Sequence, residues 1–189
     1  MSVPRILVFA GSIRTGSFSA QLAALALKEF VRMDVEASLI SLADYPMSLF
    51  DADLEAKSGV PVAARKLHDM MLTHRGIYIA TPEYNASLPP LLKNTIDWLS
   101  RIRDTKSPFK QCVFALGSTS NRLGGGYRAL MALRQVLELG LGALVIPEQV
   151  TVHEAAYAFD DAGDLKEETL AKMLRKSVQR LVTLANADL

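Results

Sequence analysis

Short unbroken apolar runs alternate along this chain with longer stretches whose apolar positions recur every three or four residues. The first run, Arg5–Ala10, carries Ile6, Leu7, Val8 and Phe9 without a polar break. A strand with one wet face would alternate apolar and polar residues, so an unbroken run predicts a parallel strand covered on both faces. Val35–Leu42, Gly76–Ala80, Gln111–Leu116 and Ala143–Ile146 predict four further strands. Helices are predicted over Ser19–Val31, Pro61–Thr73, Pro89–Ile102, Gly125–Leu139 and Leu165–Ala187, two of them opening on proline, which suits a first helical turn. Residues 43–60, with Pro46, several Asp and Gly59, predict an irregular connection. Strands alternating with helices, joined by right-handed crossovers, give a doubly wound α/β sandwich. With no repeat, linker or low-complexity segment, residues 1–189 are expected to form one domain.

Composition narrows the partners. The 21 basic and 20 acidic residues leave a formal net charge of +1, too little to attract nucleic acid or anionic lipid. The lone Cys112 sits in an apolar run and is expected to be a small core residue. His68, His74 and His153 show no metal-ligand spacing. The N-terminal apolar run is too short and wrongly flanked for a signal peptide, and no stretch is long enough to span a bilayer. The expectation is a cytoplasmic protein with no nucleic-acid, membrane or metal partner.

Ligands of open parallel sheets bind beyond the carboxyl ends of the strands, so the loops there carry the candidate chemistry. After the first strand comes Gly11-Ser12-Ile13-Arg14-Thr15-Gly16-Ser17-Phe18-Ser19. Its hydroxyls, its Arg14 fork and the amides of a helix start suit a phosphate monoester. It matches neither Gly-Lys-Ser/Thr nor Gly-x-Gly-x-x-Gly, so neither a Walker loop nor a Rossmann dinucleotide site is expected. A plain loop with serine caps would read the same way. After the third strand, Thr81-Pro82-Glu83-Tyr84-Asn85-Ala86-Ser87-Leu88-Pro89-Pro90 offers a stiff backbone and a flat ring, suited to a planar heterocycle or simply to a proline-rich connection. After the fourth, Gly117-Ser118-Thr119-Ser120-Asn121-Arg122-Leu123-Gly124-Gly125-Gly126 would let its backbone approach a ligand closely, or be a mobile surface loop. Three such loops at one sheet edge point to a ligand more strongly than any one alone.

These strings resemble the NADPH-dependent FMN reductase family. Pro-Glu-Tyr-Asn at 82–85 and Leu-Lys-Asn-Thr-Ile-Asp-Trp at 92–98, in register, carry the resemblance most specifically, and it runs from about Arg5 to Val150. It implies a flavodoxin-like three-layer sandwich whose five-stranded parallel sheet has the order 2-1-3-4-5. It implies FMN, with Ser12, Arg14, Ser17, Phe18 and Ser19 at the phosphate and Pro82, Glu83, Tyr84 and Asn85 along the isoalloxazine ring, largely through their backbone. Ser118 and its neighbours would close the other side of the flavin. Ala86 and Pro90 depart from the family pattern and bear on acceptor preference.

The implied reaction is ping-pong: NADPH or NADH delivers hydride to flavin N5, and FMN, a quinone, an azo compound or a metal oxyanion takes the electrons. The cofactor carries the chemistry, so no side chain is assigned as acid, base or nucleophile. Trp98, Leu99 and Ile102, apolar over more than one helix stripe, hint at a homodimer or homotetramer, as in the family. The alternative is an FMN electron carrier of the flavodoxin type, against which the near-neutral charge counts. A phospho-receiver domain is discounted, because Ala10-Gly11-Ser12 stands where its acidic cluster would be.

Overall fold

The computed structural model describes residues 4–187. In chain order the elements are β1 Ile6–Ala10, α1 Phe18–Arg32, β2 Ala37–Ile40, α2 Ala52–Ser58, α3 Val62–Leu72, β3 Gly76–Pro82, α4 Pro90–Leu99, α5 Pro108–Gln111, β4 Val113–Thr119, α6 Tyr127–Arg134, β5 Leu144–Val152, α7 Ala155–Ala158 and α8 Glu168–Ala185. The five strands form one sheet in the order β2-β1-β3-β4-β5, every neighbouring pair parallel. This is the flavodoxin-like arrangement, and it reverses direction between β1 and β3.

The unbroken apolar runs are explained by two layers rather than one. Ile6, Val8, Tyr78, Ala80 and Ala115 point into a core under α1 and α8. Leu7, Phe9, Ile77, Ile79, Phe114 and Leu116 point the other way, under α3, α4 and α6. Successive side chains of a strand leave opposite faces, so the middle of a strand covered twice is apolar at every position. Each of the larger side chains contributes about 1.5–3 kcal/mol over leaving it in water. Cys112 is buried among them, and burial pushes its thiol up to about 12, as a core residue requires.

Several boundaries differ from expectation. The segment expected to be irregular contains α2, none of whose residues is buried. It is made by its ends: the Asp51 carboxylate accepts from the amides of Asp53 and Leu54, and Gly59 at φ 72° stops it. An apolar period cannot reveal a helix without a buried face. The predicted helix from Gly125 begins only at Tyr127, because Gly125 and Gly126 are left-handed, and it loosens into π-helix over Gln135–Gly140. The fifth strand runs on to Val152, through Pro147, with an irregularity opposite Phe114 and Leu116. An edge strand tolerates proline because one row of its amides faces no partner.

Trp98, Leu99 and Ile102 are 0%, 2% and 5% exposed within a single chain. Their apolar surface is used internally and carries no argument for a partner. The Trp98 indole N–H donates to the Ser48 carbonyl at 2.8 Å, and Phe50 packs edge-on against the ring at 5.1 Å. Asn94 holds the same segment, donating to Ser48 and accepting from the Phe50 amide. What the sequence offered as an outward stripe is the seat for residues 48–50.

Among the described residues no helix is long and apolar enough to cross a membrane. No group of three or more His, Cys, Asp or Glu among them could hold a metal ion.

Tyr78 is fully buried, and its hydroxyl finds no partner among the described residues; burial drives the phenol pKa well above its ordinary value. A Cβ on Gly117, on the adjoining strand, would lie 2.4 Å from that oxygen. Tyr78→Phe is therefore expected to stabilise the fold by about 1 kcal/mol, the relief of one unpaired buried group. Gly117→Ala should cost about 1–3 kcal/mol through overpacking, and the double variant should recover part of that loss. Urea unfolding measures all three; a destabilised Tyr78→Phe would show that the hydroxyl has a partner.

Candidate functional site

The register of the sheet delivers three loops to one edge. Ala10 lies opposite Ala80, Thr81 opposite Ser118, and Pro82 opposite Thr119. The Gly11 amide continues the ladder to the Ala80 carbonyl at 2.8 Å. A Cβ on Gly11 would sit 3.0 Å from the Leu92 side chain and 3.3 Å from the Thr81 hydroxyl, so the first loop is pressed against the start of the second and against α4.

The first loop leaves a helix end open. Ser17 occupies the N-cap of α1, yet its hydroxyl makes no capping bond. It lies instead 2.8 Å from the hydroxyl of Ser19, both of them buried. The first backbone bond of α1 runs from the Gln21 amide to the Ser17 carbonyl. The amides of Phe18, Ser19 and Ala20 therefore have no protein partner among the described residues, and the first turn holds no acidic side chain. Arg14 is exposed, 5.9 Å from the Phe18 ring, and its guanidinium donates only to the Thr15 and Gly16 carbonyls. Ser12 accepts from the Arg14 amide. Unpaired amides, the positive end of a helix dipole, hydroxyls and a guanidinium without a carboxylate partner converge on one spot, the chemistry of an anion site.

The second loop is a tight hairpin. Tyr84 and Ser87 exchange both backbone bonds at 3.0 Å, and Asn85 and Ala86 between them are both left-handed, at φ 49° and 65°. That pair of angles is the type I′ turn, natural for Asn-Gly. Ala86 in the glycine place bears steric strain of about 1–2 kcal/mol. The strained turn holds Tyr84, Asn85 and Ala86 out into solvent.

Glu83 engages its side chain as well. Its backbone was expected to matter, and its carboxylate, 7% exposed, reaches across to α6. It accepts from the Arg128 guanidinium at 2.7 Å and 3.1 Å and from the Arg128 amide at 3.2 Å. The sequence reading missed Arg128. A signal existed: a basic residue in the first turn of a helix opposes the dipole unless a carboxylate stands in front of it.

The third loop is folded onto the sheet at its two ends, and Asn121–Gly124 between them are exposed. Ser118 is fully buried, and its hydroxyl donates to the Gly125 carbonyl at 2.7 Å. A Cβ on Gly125 would lie 2.8 Å from the Thr151 backbone, and one on Gly126 would lie 2.9 Å from Ser118. Gly125 admits the end of β5 and Gly126 admits β4, while Gly124 faces open space, and Ser118 shapes the loop from beneath. Asn121 accepts from the Ala156 amide, and Ser120 bonds Val152 and Ala155, which brings α7 and the exposed Tyr157 to the same edge. Tyr157 lies in a stretch to which the sequence reading assigned no element.

A family profile described as NADPH-dependent FMN reductase matches residues 4–157. The chain belongs to this family. Over 134 residues it is 38% identical to a quinone reductase of Escherichia coli (strain K12), covering 70% of this chain and 69% of that protein. It is 33% identical over 180 residues to an NAD(P)H-dependent FMN reductase of Pseudomonas aeruginosa, covering 94% and 92%. Its structure is similar to that of FerB, a flavoenzyme NAD(P)H:(acceptor) oxidoreductase from Paracoccus denitrificans, with a TM-score of 0.79, 27% identity and 97% coverage of both chains. As a member of the FMN reductase family, the chain places its three unusual loops where Gly11, Thr81, Ser118 and Glu83 tie them together.

Glu83→Gln keeps the shape of the bridge and removes its charge. It is expected to lower stability by about 1–3 kcal/mol, because a guanidinium and a helix amide lose a charged acceptor. Combined with Arg128→Ala, the losses should not add, since the two residues form one unit. Strict additivity in a urea double-mutant cycle would mean that the two loops are not clamped by this pair.

Proposed function

We propose that the protein is an FMN-dependent oxidoreductase that takes electrons from NADH or NADPH and gives them to a small acceptor: free FMN, a quinone, an azo compound or a metal oxyanion. The observation that carries this reading is the uncapped start of α1 beside Arg14, within a chain of the FMN reductase family. The donor set fits the phosphate of FMN. Three open amides and the Ser17–Ser19 hydroxyl pair can bind a terminal phosphate, and Arg14 can balance its charge. FMN, when bound, supplies the flavin N5 that accepts hydride and the two-electron store that the side chains lack.

The chain's own residues bind and orient. Ser12, Arg14, Ser17, Phe18 and Ser19 hold the phosphate end. The backbone of Pro82, Glu83, Tyr84 and Asn85 lies along the ring, and the hairpin at Asn85–Ala86 fixes the direction in which that backbone points. Ser118 acts through Gly125, setting the height of the glycine loop that closes the other side. The Glu83–Arg128 bridge holds the two walls at a constant separation. No proton donor need be assigned. His68 and His74 are buried, and His153 faces Glu167 at 3.5 Å. Donor and acceptor use the same opening in turn, which makes the kinetics ping-pong.

We also propose a homodimer or homotetramer working in the cytoplasm, where nicotinamide reductants are supplied. The support is no longer the Trp98 helix. It is the family, together with Ile13, Tyr84, Leu123, Tyr127 and Tyr157, all more than two-fifths exposed on the loops and short helices at one sheet edge.

Two measurements test the reading. Protein incubated with FMN and desalted is expected to keep a flavin spectrum that bleaches under anaerobic NADH or NADPH; flavin that stays oxidised with both donors would make the protein an electron carrier instead. Arg14→Ala together with Ser17→Ala should weaken FMN binding about tenfold or more, the loss of one or two charge-assisted hydrogen bonds. Unchanged affinity in a flavin-fluorescence titration would remove the phosphate from this loop.

A further inference from the structure

The aromatic side chains are spread unevenly over the surface. Among the described residues no phenylalanine or tryptophan is exposed, Tyr78 is buried and Tyr45 is half-buried. The three exposed rings are Tyr84, Tyr127 and Tyr157, at 44%, 51% and 78%. All three stand on segments that follow the carboxyl ends of β3, β4 and β5. Exposed apolar residues scattered singly are ordinary, but rings gathered at one edge mark a contact surface.

The third loop divides these rings. Ser120 and Asn121 tie α7 to the β5 side of that loop, so Tyr157 stands there. Tyr127 stands on the β3 side. Its amide donates to the Gly124 carbonyl, and the next amide, that of Arg128, donates to the Glu83 carboxylate at 3.2 Å. Gly126, just before it, is pressed onto Ser118 of β4. The first residue of α6 is thus fixed from beneath by β4 and from the side by the second loop, where the two loops meet. Its ring has no aromatic partner among the described residues. A ring on a pinned backbone, left uncovered, is a preorganised stacking surface. A second ring laid on it meets little further ordering cost.

We propose that Tyr127 holds the electron acceptor: its ring stacks on a planar aromatic acceptor, such as a quinone, at the junction of the second and third loops. The inference rests on the reductase reading, in which the second loop lies along the flavin and the third closes it. It deepens that reading by naming the acceptor class and the residue that selects it. Arg128 beside the ring is already paired with Glu83, and a metal oxyanion has no flat face to stack. Planar acceptors are therefore preferred to oxyanions here. Leu123 and Tyr157, at the tip and on the far side of the third loop, remain for contact with a second copy.

The test is reoxidation of the reduced, FMN-loaded protein, mixed without oxygen with 1,4-naphthoquinone or with ferricyanide, a compact ion that cannot stack. Tyr127→Ala is expected to raise the half-saturating naphthoquinone concentration about three- to tenfold, the worth of one ring contact. Ferricyanide reduction, FMN affinity and the mass by light scattering should stay at wild-type values. Tyr127→Phe should behave as wild type, because the ring and not the hydroxyl makes the contact. The same order should appear without turnover, in the dissociation constant of naphthoquinone for the oxidised protein, read from the flavin absorption. Tyr157→Ala should leave that constant unchanged. If Tyr127→Ala binds naphthoquinone as tightly as wild type, or weakens both acceptors alike, the proposal is overturned while the reductase reading stands. A lower mass for Tyr127→Ala would also overturn it, by giving the ring to a contact between copies. If wild type holds no FMN, the reductase reading fails first and this assignment fails with it.

Discussion

The parallel ladder of β1, β3 and β4 is the constraint on which the rest depends. Its register sets Ala10 against Ala80 and Thr81 against Ser118, so the chain leaves three neighbouring strands at nearly one height. Slipping one strand by a residue would exchange its two faces. Leu7 and Phe9 would then turn toward α1, and Ile6 and Val8 toward α4. Both layers are fully apolar, so hydrophobicity alone would not forbid that slip. Shape does: a Cβ on Gly76 would lie 2.6 Å from Ile6 and one on Gly117 2.4 Å from the Tyr78 hydroxyl, closer than side-chain carbons pack. The glycines of the strands lock the register, and the register builds the site.

On this rigid edge the molecule leaves one helix end unfinished. A serine at an N-cap ordinarily bonds an amide of the first turn, worth about 1 kcal/mol. Ser17 turns to Ser19 instead, and three amides remain available to an anion. An anionic group bound there, as proposed, would recover the forgone cap and so add to the stability of the helix. The hairpin at Asn85–Ala86 follows a similar logic, because a left-handed alanine is held by the ladder on one side and by the Glu83–Arg128 bridge on the other.

Each loop is also tied to a part of the chain far away in sequence. Glu83 reaches Arg128, Asn121 reaches Ala156, and Gly11 packs against Leu92, while Ser118 ties the third loop to itself at Gly125. These ties turn flexible-looking strings into walls. They leave Gly125 of the glycine-rich loop pressed against Thr151.

By itself the sequence determined the sheet, its order of elements, the edge that carries chemistry and the family. Those follow from signals that repeat or lie close together: unbroken apolar runs for twice-covered strands, and Ser, Gly, Pro and Asn clustered in single loops. It also singled out the first loop as the candidate anion site, where donor types sit side by side between Ser12 and Ser19. Only the tertiary structure decided which way those groups face. It showed that Ser17 does not cap, that Ser118 supports the glycine loop from beneath, and that Trp98 faces Ser48 rather than a partner. It disclosed α2, whose helix is made by Asp51 and Gly59 rather than by a buried face. It disclosed the Glu83–Arg128 bridge, between residues 45 positions apart. The physical reason is common to all of these. Periodicity records burial, which is local to an element, whereas hydrogen-bond partners and close approaches depend on strands meeting in one register, and no local pattern records that.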